Sequence, residues 1–177
     1  MNDKHSAREW IYRSRWLESR FSQALNDHPI VVLTGARQVG KSTLLRHAHP
    51  SAIWRYHSLD DLDVVEQAEN DPEALWAGTD RVVIDEAQRV PSLFLAVKRA
   101  VDRDRKKRFV LSGSANFQLL RQVSESLAGR AVYFVLRPMT LGEREEEAPP
   151  TLVEELLKGS FLPKVEDCLS LIRFFMR

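Results

Sequence analysis

Gly35-Ala36-Arg37-Gln38-Val39-Gly40-Lys41-Ser42 is the stretch that most restricts what this chain can fold into. It fits G-x-x-x-x-G-K-[ST], a phosphate-binding loop. The apolar run Ile30-Val31-Val32-Leu33 lies just before it, and the helix-compatible Ser42-Thr43-Leu44-Leu45-Arg46 follows. Strand, glycine-rich turn and helix start, in that order, make a cradle for phosphate. Gly35 and Gly40 let the backbone curl so that N–H groups point inward. The helix N-terminus adds partial positive charge at the same place. Ala36, Arg37, Gln38 and Val39 form the body of the loop, and Thr43 carries it into the helix. Lys41 is placed to reach the β- and γ-phosphates as a point charge. Ser42 offers a hydroxyl to Mg²⁺.

A second element points the same way. Arg81-Val82-Val83-Ile84-Asp85-Glu86 is a short, β-branched apolar run ending in two carboxylates. Such a run suits a parallel strand covered on both faces. Asp85 would then emerge at the strand's carboxyl end, where ligands bind in open α/β sheets. One carboxylate there can hold the Mg²⁺ shell, and Glu86 can act as general base on an attacking water. The alternative is that the two acids simply open a helix, whose first turn favours negative charge.

Composition bounds the rest. A chain of 177 residues is enough for one domain with a real core and little more. Hydrophobic residues at 44% and charged residues at 29% describe a globular chain rather than a disordered one. A net charge of +1 makes no general case for nucleic-acid or membrane binding. The single cysteine, Cys168, excludes an internal disulfide and a cysteine-rich zinc site. No apolar segment is long enough to predict a transmembrane helix. The charged start, Met1-Asn2-Asp3-Lys4-His5-Ser6, is unlike a signal region, so a cytoplasmic protein is expected. His47, His49 and His57 lack the spacing of metal ligands. The basic run Arg103–Arg108 is diluted by Asp102 and Asp104 and reads as a solvated turn.

Along the chain, helix and strand alternate. A helix is predicted from Ala7 to Leu25 and is broken by Asp27-His28-Pro29. Strands are predicted at Ile30–Thr34, Ala52–His57, up to Asp85, Phe109–Leu111 and Val132–Leu136. Between them fall the loop helix at Lys41–His47, a polar helical stretch containing Asp71-Pro72, and a helix opened by Pro91. A further helix contains Leu119, Leu120 and Val123. Repeated strand–helix units predict an α/β fold: a three-layer αβα sandwich with a mainly parallel central sheet and a P-loop core. The predicted division is an N-terminal helical segment over residues 1–28, the core over 29–147 and a helical C-terminal segment over 148–177. The acidic, proline-ended Glu143–Pro150 stretch marks the last boundary.

Four motifs occur in a fixed order: Thr34 to Ser42, Asp85-Glu86-Ala87-Gln88 with Pro91 following, Leu111-Ser112-Gly113-Ser114-Ala115, and Ser126-Leu127-Ala128-Gly129-Arg130. With Arg137-Pro138-Met139-Thr140-Leu141-Gly142-Glu143, they resemble the uncharacterised prokaryotic AAA+-like ATPases. The resemblance runs from Ile11 to Val165. It implies ATP as ligand, Mg²⁺ as cofactor and hydrolysis of ATP to ADP and phosphate. In that family the ATPase core is usually followed by a C-terminal domain of unknown function, and members are about twice as long. The final segment here is therefore expected to be the start of a lid or of that domain. A nucleotide-binding module without turnover is the alternative expectation, and a P-loop small-molecule kinase a weaker one.

The resemblance also implies roles for single residues. Ser114 or Asn116 would be the polar sensor near the γ-phosphate, or else a turn cap. Arg130 would be an arginine finger, serving a neighbouring copy in a homo-oligomer or its own nucleotide, or else a surface arginine. Gln88 would orient water or report the nucleotide state, or simply start a helix.

Overall fold

The computed structural model describes residues 11–114 and 127–147. Contacts divide the chain into two compact units, Met1–Glu146 and Glu147–Arg177. The expected helix around Leu119 and the expected helical C-terminal segment lie outside the described residues.

Five strands form one all-parallel sheet: β1 (Ile30–Gly35), β2 (Arg55–Ser58), β3 (Arg81–Asp85), β4 (Arg108–Ser114) and β5 (Ala131–Val135). Their spatial order is β2-β3-β4-β1-β5. The three central strands, β3, β4 and β1, are largely apolar because both their faces are covered, whereas the edge strands β2 and β5 are partly exposed. Alternation then sorts each strand's residues into two cores. Ile30, Val32, Val82, Ile84, Phe109 and Leu111 face one side, with Leu93, Phe94, Val97 and Val101 of α4 (Ser92–Arg103) and Trp76. Val31, Leu33, Val83 and Val110 face the other, with Phe21 and Leu25 of α1 (Glu18–Asp27) and Leu44 and Leu45 of α2 (Lys41–His47). This is the predicted three-layer αβα arrangement. A fourth helix, α3 (Leu62–Asn70), follows β2 and is capped by the Asp61 carboxylate. A short capped helix, α5 (Leu141–Arg144), follows β5.

Several boundaries differ from the sequence reading: β4 runs on to Ser114, the polar helix ends at Asn70 with a separate 3-10 turn from Pro72, and the first helix and second strand are shortened. The first helix does not run from Ala7: residues 11–15 are irregular and α1 begins at Glu18. The cause is Arg15, whose guanidinium donates to the carbonyls of Val39 and Arg137 and to Glu143. Those partners lie far along the chain, and reaching them takes residue 15 off any helical path. The second strand is also shorter than predicted. Ser51–Ile53 makes a 3-10 turn, with the Ser51 hydroxyl donating back to the Ala48 carbonyl, and pairing starts only at Arg55.

Part of the basic run at the end of α4 is engaged in ion pairs. Arg103 pairs with Glu73, Lys107 with Asp80, and Asp102 with Arg130.

Candidate nucleotide site at the carboxyl edge of the sheet

In a parallel sheet every strand presents its carboxyl end to the same edge. Register places Gly35 beside Ser114 and Ser58 beside Asp85, so the loop after β1 and the acids after β3 open on one edge. The loop's backbone is set at three points. Gly40 has φ +95° and Gln38 has φ 62°, both left-handed, which turns successive N–H groups inward. Gly35 is needed for a different reason. A Cβ there would lie 2.4 Å from the Leu136 carbonyl oxygen, because the chain leaving β5 crosses directly over it.

Lys41 is almost fully buried, and its ammonium donates to the loop carbonyls of Gly35 (3.1 Å) and Ala36 (2.9 Å). The charge is thus held over the loop by its own backbone. Arg37, Gln38, Gly40, Ser42, Thr43 and Glu86 join Lys41 in lining a cleft of about 430 Å³. Asp60, Gln88 and Arg89 close its other side, and Arg89 is ion-paired to Asp60.

The two acids are held differently. Val83 points into the α1/α2 core, so Asp85, two residues on, faces the same side, towards α2. Asp85 is 2% exposed, and both its carboxylate oxygens are engaged. Oδ2 accepts from the Tyr56 hydroxyl at 2.6 Å, and Oδ1 from the Glu86 N–H at 3.0 Å. Burial, and then the bond to Asp85, push the Tyr56 phenol up to about 12, so it acts as a donor at neutral pH. Glu86 is left-handed (φ 56°), which turns its side chain out of the strand line and into the cleft. The Gln88 amide donates to its carboxylate.

On the far flank of the loop, Arg15 and Glu143 form an ion pair at 3.2 Å with both side chains nearly inaccessible. Glu143 also accepts from the N–H groups of Trp16 and Thr140, the latter within a capping box. Burial alone would raise its pKa, but these bonds and the guanidinium outweigh it and hold the carboxyl below its ordinary value. A smaller recess of about 190 Å³ lies here, lined by Ile11, Tyr12, Val39, Leu44 and Met139 together with Gly40 and Thr43 of the phosphate cleft.

Most residues singled out in the sequence therefore meet at one edge: the loop from Gly35 to Thr43, Asp85, Glu86 and Ser114. Asn116 lies outside the described residues. Arg130 is elsewhere. It precedes β5, whose first residue pairs with Ile30, so it sits at the amino edge, a full strand from the loop. Asp102 holds it through two bonds, of 2.7 and 3.1 Å. A finger acting on this chain's own nucleotide is incompatible with that position. Sequence reasoning missed Arg15, Tyr56 and the partner role of Glu143. The Thr140-x-x-Glu143 capping pattern was a readable signal for the last; nothing local marks the other two.

An all-parallel αβα sheet with this loop and this acidic strand end defines a P-loop NTPase core. Comparison with known proteins narrows the class. The profile of a family described as an AAA domain matches residues 27–145, and the chain belongs to that family of AAA-like P-loop ATPases. An uncharacterised protein of Mycobacterium tuberculosis and one of Mycobacterium bovis are each 39% identical over 148 residues, which is 82% of this chain and 32% of theirs. The chain thus spans about a third of the length of these relatives. The Walker-type ATPase of Pyrococcus abyssi superposes with a TM-score of 0.53 at 16% identity, over 81% of this chain and 61% of that one, a similarity of fold. Among the described residues no helix is long and apolar enough to cross a membrane.

Proposed function

We propose that residues 29–147 bind ATP and hydrolyse it to ADP and phosphate with Mg²⁺. The observation that carries this reading is the single cleft that sets Lys41 and Ser42 of the loop opposite Glu86. Backbone N–H groups around the left-handed Gln38 and Gly40 would receive the phosphates. Lys41, now on the carbonyls of Gly35 and Ala36, would turn to the phosphate oxygens. The recess beside Gly40 and Thr43 is the natural seat for the base, with the Tyr12 ring at its wall.

Ser42 and Asp85 offer hard oxygen donors, the set that Mg²⁺ prefers. Among the described residues no group of three or more His, Cys, Asp or Glu is gathered for a metal. This fits an ion held by one carboxylate, one hydroxyl and the substrate's own phosphates. When bound, such an ion offsets charge on the transferring phosphoryl group. Glu86 would take a proton from water as the water oxygen attacks the γ-phosphorus. The bond to the β–γ bridging oxygen breaks and ADP leaves.

The second reading, a nucleotide-binding module without turnover, draws on the Gln88 amide that engages the Glu86 carboxylate. Calorimetry and phosphate release separate the two. Lys41→Ala should lose ATP affinity, and equal affinity would sink the assignment of the loop. Glu86→Gln should bind ATP and release no phosphate. A wild type that binds ATP and releases none leaves the binding module standing.

A further inference from the structure

The Asp85 carboxylate is almost completely withdrawn from solvent, and the two hydrogen bonds it accepts come from uncharged donors. One oxygen takes the phenol of Tyr56 from the neighbouring strand, and the other takes a backbone N–H. Two bonds to two oxygens, from two different elements, fix both the position and the plane of the carboxyl group. Tyr56 in turn lies under a cation. The Arg46 guanidinium carbon stands 4.4 Å from the centroid of the Tyr56 ring. Arg46 is four residues after Ser42 on α2, so the two share one helix face, a turn apart. A continuous path therefore runs from the loop helix through Arg46 and Tyr56 to Asp85, across α2, β2 and β3.

We propose that Tyr56, backed by Arg46, is a positioning residue that orients the Asp85 carboxylate towards a nucleotide-bound divalent cation. The inference rests on the reading of Asp85 and Ser42 as the metal's protein ligands. The chemistry is that of an outer layer around a metal site. A ligating carboxylate that is itself hydrogen-bonded loses less freedom on binding, and removing such a partner typically weakens metal affinity about 10- to 100-fold. A phenol suits the task because it donates one proton in one direction and adds no charge to compete with the cation. A tyrosine that merely fills the strand face would affect folding and would not distinguish metal-bound from metal-free nucleotide.

The test is calorimetric titration of ADP into the full chain, with Mg²⁺ and with EDTA, for wild type, Tyr56→Phe and Arg46→Gln. The readout is the factor by which Mg²⁺ tightens ADP. In Tyr56→Phe the metal-free affinity should stay within about twofold of wild type, while the Mg²⁺ factor falls about tenfold or more. Arg46→Gln should lower the same factor less. A folded Tyr56→Phe with the wild-type Mg²⁺ factor overturns the inference and leaves the nucleotide site intact. If Tyr56→Phe does not fold, an unchanged factor in Arg46→Gln overturns it. A wild type whose ADP affinity ignores Mg²⁺ overturns the metal reading of Asp85 and this inference with it.

Discussion

Replacing Arg15 by methionine tests how the phosphate loop is braced. Methionine retains most of the aliphatic stem, so the change isolates the guanidinium. Three bonds are lost: to Glu143 (3.2 Å), to the Val39 carbonyl (3.0 Å) and to the Arg137 carbonyl (2.6 Å). Removing one partner of a buried ion pair costs about 3–5 kcal/mol, chiefly because the other charge stays buried and uncompensated. Glu143 keeps its N–H donors from Trp16 and Thr140, which argues for the low end, about 3 kcal/mol. With a urea m-value of about 2 kcal/mol/M, the unfolding midpoint should fall by about 1.5 M. Because Val39 is a loop residue, ADP affinity should fall as well. The double variant Arg15→Met/Glu143→Gln should lose less than the sum of the two single changes, since the stranded charge is gone. A midpoint within about 0.3 M of wild type would refute the argument, because it would leave the pair worth no more than a surface bridge.

The acid limb of stability follows from Glu143. Its pKa is depressed in the folded state, so its contribution is present above the unfolded carboxyl value and is lost as pH falls through the folded one. Thermal melts from about pH 7 to about pH 3 should show this loss, and Glu143→Gln should flatten it; an identical pH profile in the variant would contradict the assignment. If Arg130 serves a neighbouring copy's nucleotide, Asp102 must release it. Mixing Glu86→Gln with Arg130→Ala should then restore phosphate release that neither gives alone, whereas no rescue, with activity per subunit flat across concentration, would leave Arg130 as a structural anchor of α4 to β5.

The core of the fold was legible because its signals are local. Strands such as Val82-Val83-Ile84 are apolar on both faces, and that alone implies helices above and below a parallel sheet. The helix from Lys41 to His47 follows directly from the loop that precedes it. The start of the first helix was misread because a distant partner intervened, and the start of β2 because a short 3-10 turn at Ser51–Ile53 precedes it. Nothing near Arg15 in the sequence says that it will be drawn to Val39, Arg137 and Glu143, so helical periodicity was read through residues 11–15, which are irregular.

The same distinction divides the site. The sequence alone determined the local motifs: a glycine-rich loop with Lys41 and Ser42, and a strand ending in Asp85 and Glu86. Spacing along one chain dictates those local geometries. Tertiary structure decided what each group faces. It placed the Leu136 carbonyl where only a glycine fits at position 35, and it brought Tyr56 to Asp85 from the adjacent strand. It also sent Arg130 to the far edge of the sheet, against Asp102. These are contacts between residues dozens of positions apart, fixed by strand order and register, and no local pattern in the chain encodes them.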